Sequence, residues 1–97
     1  MMIPLSVPHL KGKELQYIKK CIDTNWVSSA GSFVKKFEDA ICRYVKSKYA
    51  VACVNGTAGL QISLKLCGVH QGDEVIVPAL TFIAPVNTVK YCGAEPV

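Results

Sequence analysis

The 97-residue chain predicts an α/β fold in which two leading helices are followed by βαβα units of a mainly parallel sheet. Three observations point there. In the first half, apolar residues recur at helical spacing. The runs "KYAVACV" and "DEVIVP" are unbroken rather than alternating, which suits strands covered on both faces. A segment long enough for a crossover helix separates the two runs, and the order strand, helix, strand describes a βαβ unit.

From Gly12 to Asn25, Leu15, Ile18, Cys21 and Ile22 lie on one helical face, and Thr24-Asn25 closes the segment. The stretch "WVSSAGS", Trp26 to Ser32, is small and polar enough for a loop, with Ser32 available to cap a second helix. That helix carries Val34, Phe37, Ala40, Ile41 and Val45 on one side. "KYAVACV" then reads as a buried strand. The next segment is ambiguous, because Leu60, Ile62, Leu64 and Leu66 alternate with polar residues as a strand would. On a helical wheel the same residues leave a narrow polar strip at Gln61 and Lys65, as in a helix buried on most sides. The helix is the reading adopted, with Gly68 as its stop and Gln71-Gly72-Asp73 as a turn. A strand from Asp73 to Pro78, a helix from about Ile83 to Tyr91 and a strand beginning at Ala94 complete the pattern.

Composition excludes several classes. A 51% hydrophobic and 19% charged chain is core-forming, and no apolar run approaches the roughly 18 residues of a membrane span. The first ten residues lack a basic start and a long apolar stretch, so no leader is expected and a cytoplasmic location is. The five cysteines are odd in number and irregularly spaced, with no CxxC pair, and read as small buried hydrophobes. His9 and His70 are far apart and no metal site is expected. The net charge of +4 comes mostly from lysines before residue 50 on helical segments, a solvated face. A nucleic-acid surface offers more arginine with interleaved aromatics.

The stretch "VACVNGTAGLQISL" carries the chemistry. At a strand-to-helix junction the first helical turn presents N–H groups without internal acceptors, and the dipole adds partial positive charge. An anion is held there, and Gly56, Thr57 and Ala58 keep the approach open while Thr57 adds a hydroxyl. Phosphate fits; so does an ordinary turn with a helix cap, and both readings stand at this point. A Rossmann fingerprint needs G-x-G-x-x-G, and only Gly56 and Gly59 are present. The GxxG clamp of RNA-binding KH modules has the spacing of "GTAG" but lacks basic residues between its glycines and follows a strand here. A second junction, "PALTFIAPVN", places Thr81 and Phe82 beyond a strand's carboxyl end, where α/β sheets bind ligands. Phe82 is either core or a cover for a flat ring, and the two junctions together suggest a phosphorylated aromatic ligand.

"NWVSSAGSFVKKFE", "VNGTAGL", "GDEVIVPALTFIAPVN" and "GAEPV" occur in the order and spacing of the DegT/DnrJ/StrS-type sugar-nucleotide aminotransferases, and nearly the whole chain resembles their N-terminal portion. The resemblance implies the aspartate-aminotransferase-like (type I) large domain and pyridoxal phosphate (PLP) as cofactor. Residues 1–97 would form a single incomplete domain, with 1–48 an N-terminal arm plus two helices and 49–97 the start of the PLP-binding α/β region. Gly56, Thr57 and Ala58 match the phosphate-binding turn, with Thr57 and Ala58 giving N–H groups to the phosphate. Phe82 matches the aromatic residue stacked on the pyridine ring. Trp26, Ser29 and Gly31 lie in the loop that resembles the segment near the sugar-nucleotide site. Gly59 departs from the pattern, since alanine is commoner there.

The resemblance further implies a homodimer when full-length, acting on a nucleotide-linked keto-sugar with glutamate as amino donor, in surface-polysaccharide or nonulosonic-acid synthesis. No nucleic-acid or membrane partner is expected. The lysine that carries the cofactor and the carboxylate that pairs with its ring nitrogen match positions beyond Val97, so no catalytic residue is assigned within the chain. Alone, it is expected to be inactive, with strand edges unpaired. Two alternatives remain: the PLP-dependent sugar dehydratase of the same family, which has histidine in place of that lysine, and a non-enzymatic nucleic-acid or phosphate-binding module. The discriminating feature is an aspartate and then a lysine after a serine-rich stretch downstream.

Overall fold

The computed structural model describes residues 3, 4 and 6–97, so the N-terminal stretch read for a leader includes Met1, Met2 and Leu5, which lie outside the described residues. The chain divides into two compact units, Met1–Ala50 and Val51–Val97. The first contains α1 (Glu14–Asp23) and α2 (Ser32–Val45). The second contains α3 (Gly56–Leu66), β1 (Glu74–Val75), α4 (Ile83–Tyr91) and β2 (Glu95–Pro96).

All four helices stop at a residue in the left-handed conformation, and each stop is local chemistry. Asn25 takes the left-handed conformation after α1 (φ 57°). Its N–H donates to the Ile22 carbonyl at 3.0 Å, and the Trp26 N–H donates to that of Cys21 at 2.9 Å. These are the two reversed hydrogen bonds of a Schellman ending. Gly68 after α3 (φ 83°) and Gly93 after α4 (φ 77°) do the same, with Val69 reaching back to Leu64 at 3.0 Å and Ala94 to Val89 at 3.2 Å. After α2 the left-handed position is held by Lys46 (φ 56°), and Ser47 N–H donates to the Cys42 carbonyl at 3.1 Å. A lysine there is unusual, because a Cβ is disfavoured in this conformation.

Helix starts are less uniform. Ser32 is the first residue of α2 rather than its cap: Gly31 occupies the cap position in extended backbone, without a side chain to offer, which corrects the expectation from sequence. Asn55 caps α3, its side-chain oxygen accepting the Ala58 N–H at 2.8 Å. Pro85 falls in the first turn of α4, where its missing N–H has no helical acceptor to lose.

The sheet is a parallel pair. Glu74 sits opposite Glu95 and Val75 opposite Pro96. Glu95 N–H donates to Asp73 O at 2.8 Å, Val97 N–H to Val75 O at 3.0 Å and Val77 N–H to Val97 O at 2.9 Å. The crossover between the strands is α4, which also packs against α3. Val89 and Ala94, 1% and 2% exposed, form the centre of this unit. Beside them Thr88 is buried with its hydroxyl donating to the Pro85 carbonyl at 2.8 Å, so its polar group is satisfied inside the helix.

Two expectations need correction. Residues 49–54 form no ladder among the described residues, although "KYAVACV" reads as a strand. A strand exists only through a neighbour's hydrogen bonds, and β1 and β2 are paired with each other. Val51 and Val54 are accordingly 82% and 90% exposed. Nor is α3 covered on most sides: no residue of it is buried, and Leu66 stands 83% exposed, because α4 is the one helix packed against it in this unit. The apolar faces of α1 and α2 are open too, with Leu15, Ile22 and Phe37 each more than half exposed.

One stability prediction arises in α3. A Cβ built on Gly59 meets only Cys53, at 3.7 Å from Sγ and 3.8 Å from Cβ, which is ordinary van der Waals contact. Helix propensity then decides the outcome, and Gly59→Ala is expected to stabilise the protein by about 0.5–1 kcal/mol. Chemical denaturation measures it; destabilisation would show that the space beside Cys53 is tighter than described.

Candidate phosphate-binding turn and the Trp26 loop

Within residues 51–97 the structure puts Gly56, Thr57 and Ala58 in the opening turn of α3. The Gly59 N–H is the first to find a backbone acceptor, the Asn55 carbonyl at 3.2 Å. The N–H groups of Gly56 and Thr57 precede every acceptor the helix can offer. A Cβ placed on Gly56 would meet nothing within 4 Å, so the approach to this helix end is open. Ala58 differs, because its N–H already donates to Asn55 Oδ1. Both sequence readings of "NGT" are therefore visible at once: a capped helix, and a helix end with room for an anion. Asn55 is the residue that the sequence reading left out of the site, and its signal was the preference for Asn at a helix cap.

Phe82 immediately precedes α4, in extended backbone (φ −59°, ψ 156°), and its side chain is 83% exposed. It is not part of a core among the described residues. An exposed ring at a helix start is available for stacking on a flat partner. Thr81 beside it is also exposed.

The residues assigned to the sugar-nucleotide loop lie in the other unit. Trp26 follows the α1 stop and Gly31 precedes α2, and a Cβ on Gly31 would stand 3.6 Å from Trp26 Cβ and 3.8 Å from its Cε3. A side chain at position 31 would thus touch the indole. Together with Cys21, Ser28 and Phe33, Trp26 and Gly31 line a small cavity of about 100 Å³. Ser29 is in the same loop, exposed, but does not line it.

The charged groups lie elsewhere. On α2 the Lys35 ammonium is held above its ordinary range by its hydrogen bond to Asp39 and by that carboxylate's charge, at 2.6 Å. The pair is exposed and adds little to stability. Lys65 is exposed on α3, and Lys90 pairs with Glu95 at 2.5 Å. All five cysteines are free thiols. Among the described residues no three His, Cys, Asp or Glu side chains gather at metal-binding distance, and no helix is long and apolar enough to cross a membrane.

Comparison with known proteins shows which family the chain resembles. The chain is 50% identical over 95 residues to the GDP-perosamine synthase of Caulobacter vibrioides and 46% identical over 96 residues to that of Vibrio cholerae. These alignments cover 98% and 99% of the chain but only 26% of each relative, so the chain spans about a quarter of their length. Among solved structures, a putative sugar aminotransferase from Streptococcus pneumoniae superimposes with a TM-score of 0.85 at 32% identity, over 98% of this chain and 24% of its own. That protein has been solved in PLP, PMP and apo forms. With a family model matched over residues 8–97, the chain belongs to the DegT/DnrJ/EryC1/StrS aminotransferase family.

Proposed function

We propose that residues 1–97 are the N-terminal part of a PLP-dependent aminotransferase that transfers an amino group, from glutamate, to a nucleotide-linked keto-sugar. The names of the relatives favour GDP as the nucleotide, and favour an aminotransferase over the dehydratase of the same family. In this reading the two units belong to one incomplete large domain of a cytoplasmic homodimer serving surface-polysaccharide synthesis.

The observation that carries the proposal is the opening of α3. An oxygen, Asn55 Oδ1, already sits 2.8 Å from the Ala58 nitrogen, so this helix end is directed at an acceptor, and the space beside Gly56 is clear. A phosphate dianion fits that chemistry. The N–H groups of Thr57 and Ala58 and the Thr57 hydroxyl would hold its oxygens beside Gly56, and the helix dipole would favour its charge. The open ring of Phe82 would cover one face of the pyridine and shield it from water. Trp26, Ser29 and Gly31 would contact the sugar nucleotide, the indole offering a flat surface. Bound in this way, PLP supplies the aldehyde and electron-withdrawing ring that amino-group transfer needs. The residues of this chain supply binding and orientation, while the lysine and the ring-nitrogen carboxylate are assigned to sequence beyond Val97.

Thr57→Val in the full-length protein tests the assignment. The shape is nearly kept while a hydrogen bond to a charged group is lost, so PLP affinity should fall roughly tenfold or more with the circular dichroism spectrum unchanged. Unaltered affinity in a fluorescence titration would refute the role of the turn.

A further inference from the structure

We infer that Asn55 is a positioning residue that holds the phosphate turn ready and is exchanged for the phosphate when the cofactor arrives. The inference rests on the proposed phosphate site and adds a residue to it. In the structure the Asn55 carboxamide oxygen takes the Ala58 N–H at 2.8 Å, while the Asn55 backbone carbonyl separately takes the Gly59 N–H at 3.2 Å. One amide hydrogen serves one strong acceptor at full strength. A phosphate that uses the Ala58 N–H must therefore displace the carboxamide. The displacement is local, because Asn55 already has the extended backbone of a cap (φ −160°, ψ 170°) and its carbonyl keeps Gly59 in either state. Only the side chain swings away, and it is exposed, so water receives it. The first turn of α3 is thereby formed before the ligand binds, and the cofactor meets an ordered helix end at the expense of one competing hydrogen bond.

The exchange makes a prediction opposite to that for a direct ligand. Removing the carboxamide should loosen the empty protein and tighten its hold on phosphate. The experiment compares wild type, Asn55→Ala, Asn55→Asp and Thr57→Val in the full-length apoprotein. Each is titrated separately with PLP and with inorganic phosphate, and each apoprotein is melted. Asn55→Ala should melt several degrees lower yet bind PLP about threefold to tenfold more tightly. Asn55→Asp, which keeps an acceptor for Ala58 but sets a carboxylate against the phosphate, should melt near wild type and bind both ligands at least tenfold more weakly; it carries the test if Asn55→Ala does not fold. If Thr57→Val weakens binding while Asn55→Ala leaves it unchanged or weaker, the cap is not exchanged and the inference is overturned, with the phosphate site intact. If Thr57→Val has no effect on PLP affinity, the phosphate site itself is wrong and the inference falls with it.

Discussion

Replacing Gly93 with alanine is expected to destabilise the protein by about 2 kcal/mol or more. Two separate effects add at this position. Gly93 holds the left-handed conformation (φ 77°) that ends α4, where an L side chain costs about 1–2 kcal/mol. A Cβ there would also stand 3.2 Å from Gln71 Cβ and 3.4 Å from its Cα, closer than carbon atoms settle without a shift. The backbone cannot yield easily, because the next residue, Ala94, is 2% exposed and its N–H is tied to Val89. Glu95 then enters the ladder with Asp73. A strained turn would thus be transmitted into the buried centre and the strand pair together. Gly68→Ala is the internal control, since it carries the same backbone conformation (φ 83°) but has nothing within 4 Å of its added Cβ. The difference between the two variants, read from denaturant unfolding, isolates the contact with Gln71. Equal losses would show that the contact relaxes freely.

Phe82→Ala is expected to leave the fold nearly intact and to loosen PLP in the full-length protein roughly tenfold, with a shift in the cofactor's absorbance. A phenylalanine packed in a core would instead cost about 3–5 kcal/mol on truncation. At 83% exposure the ring buries little against residues 51–97, so the cost to the fold should stay near the range of surface changes, about 0.5 kcal/mol. Stacking on an aromatic ring contributes about 0.5–1.5 kcal/mol beyond the area it covers, which corresponds to the loss in affinity predicted. Phe82→Tyr should restore both affinity and spectrum. A large fall in melting temperature with an unaltered cofactor spectrum would place the ring in a core and remove it from the site.

What was legible in the sequence was chiefly what is local. The ends of α1 and α3 were marked by Asn25 and Gly68, which tolerate positive φ, and the range of α4, Ile83–Tyr91, agrees with the one expected. The left-handed stop at Lys46 had no such mark, because lysine advertises neither a turn nor a cap. The start of α2 was displaced by one residue for a similar reason: Ser32 can cap a helix, but here it begins one, and Gly31 lies ahead of it. The strand expected at residues 49–54 was the largest miss. Its apolar run reports the need for neighbours on both faces, whereas a strand also requires a regular ladder of hydrogen bonds to a partner backbone, and the described residues form no ladder there.

The site shows the same division. Gly56, Thr57 and Ala58 were readable as a helix opening with acceptor-seeking N–H groups, and they occupy that position. That the Ala58 N–H is already engaged by Asn55 was not readable, since it depends on a side-chain rotamer. Phe82 was left open between core and platform by the sequence, and the structure adds that it is exposed among the described residues. That Trp26 and Gly31 line one cavity depends on how the loop between them folds back, which spacing alone does not dictate.

The central claim is that these residues bring the phosphate turn to the cofactor and leave the covalent anchor to sequence beyond Val97. Borohydride reduction of residues 1–97 mixed with PLP, followed by peptide mapping and an assay with glutamate and a GDP-linked keto-sugar, tests it most directly. The account predicts no amino transfer and no selective labelling among the chain's ten lysines. Turnover together with one uniquely labelled lysine would contradict it.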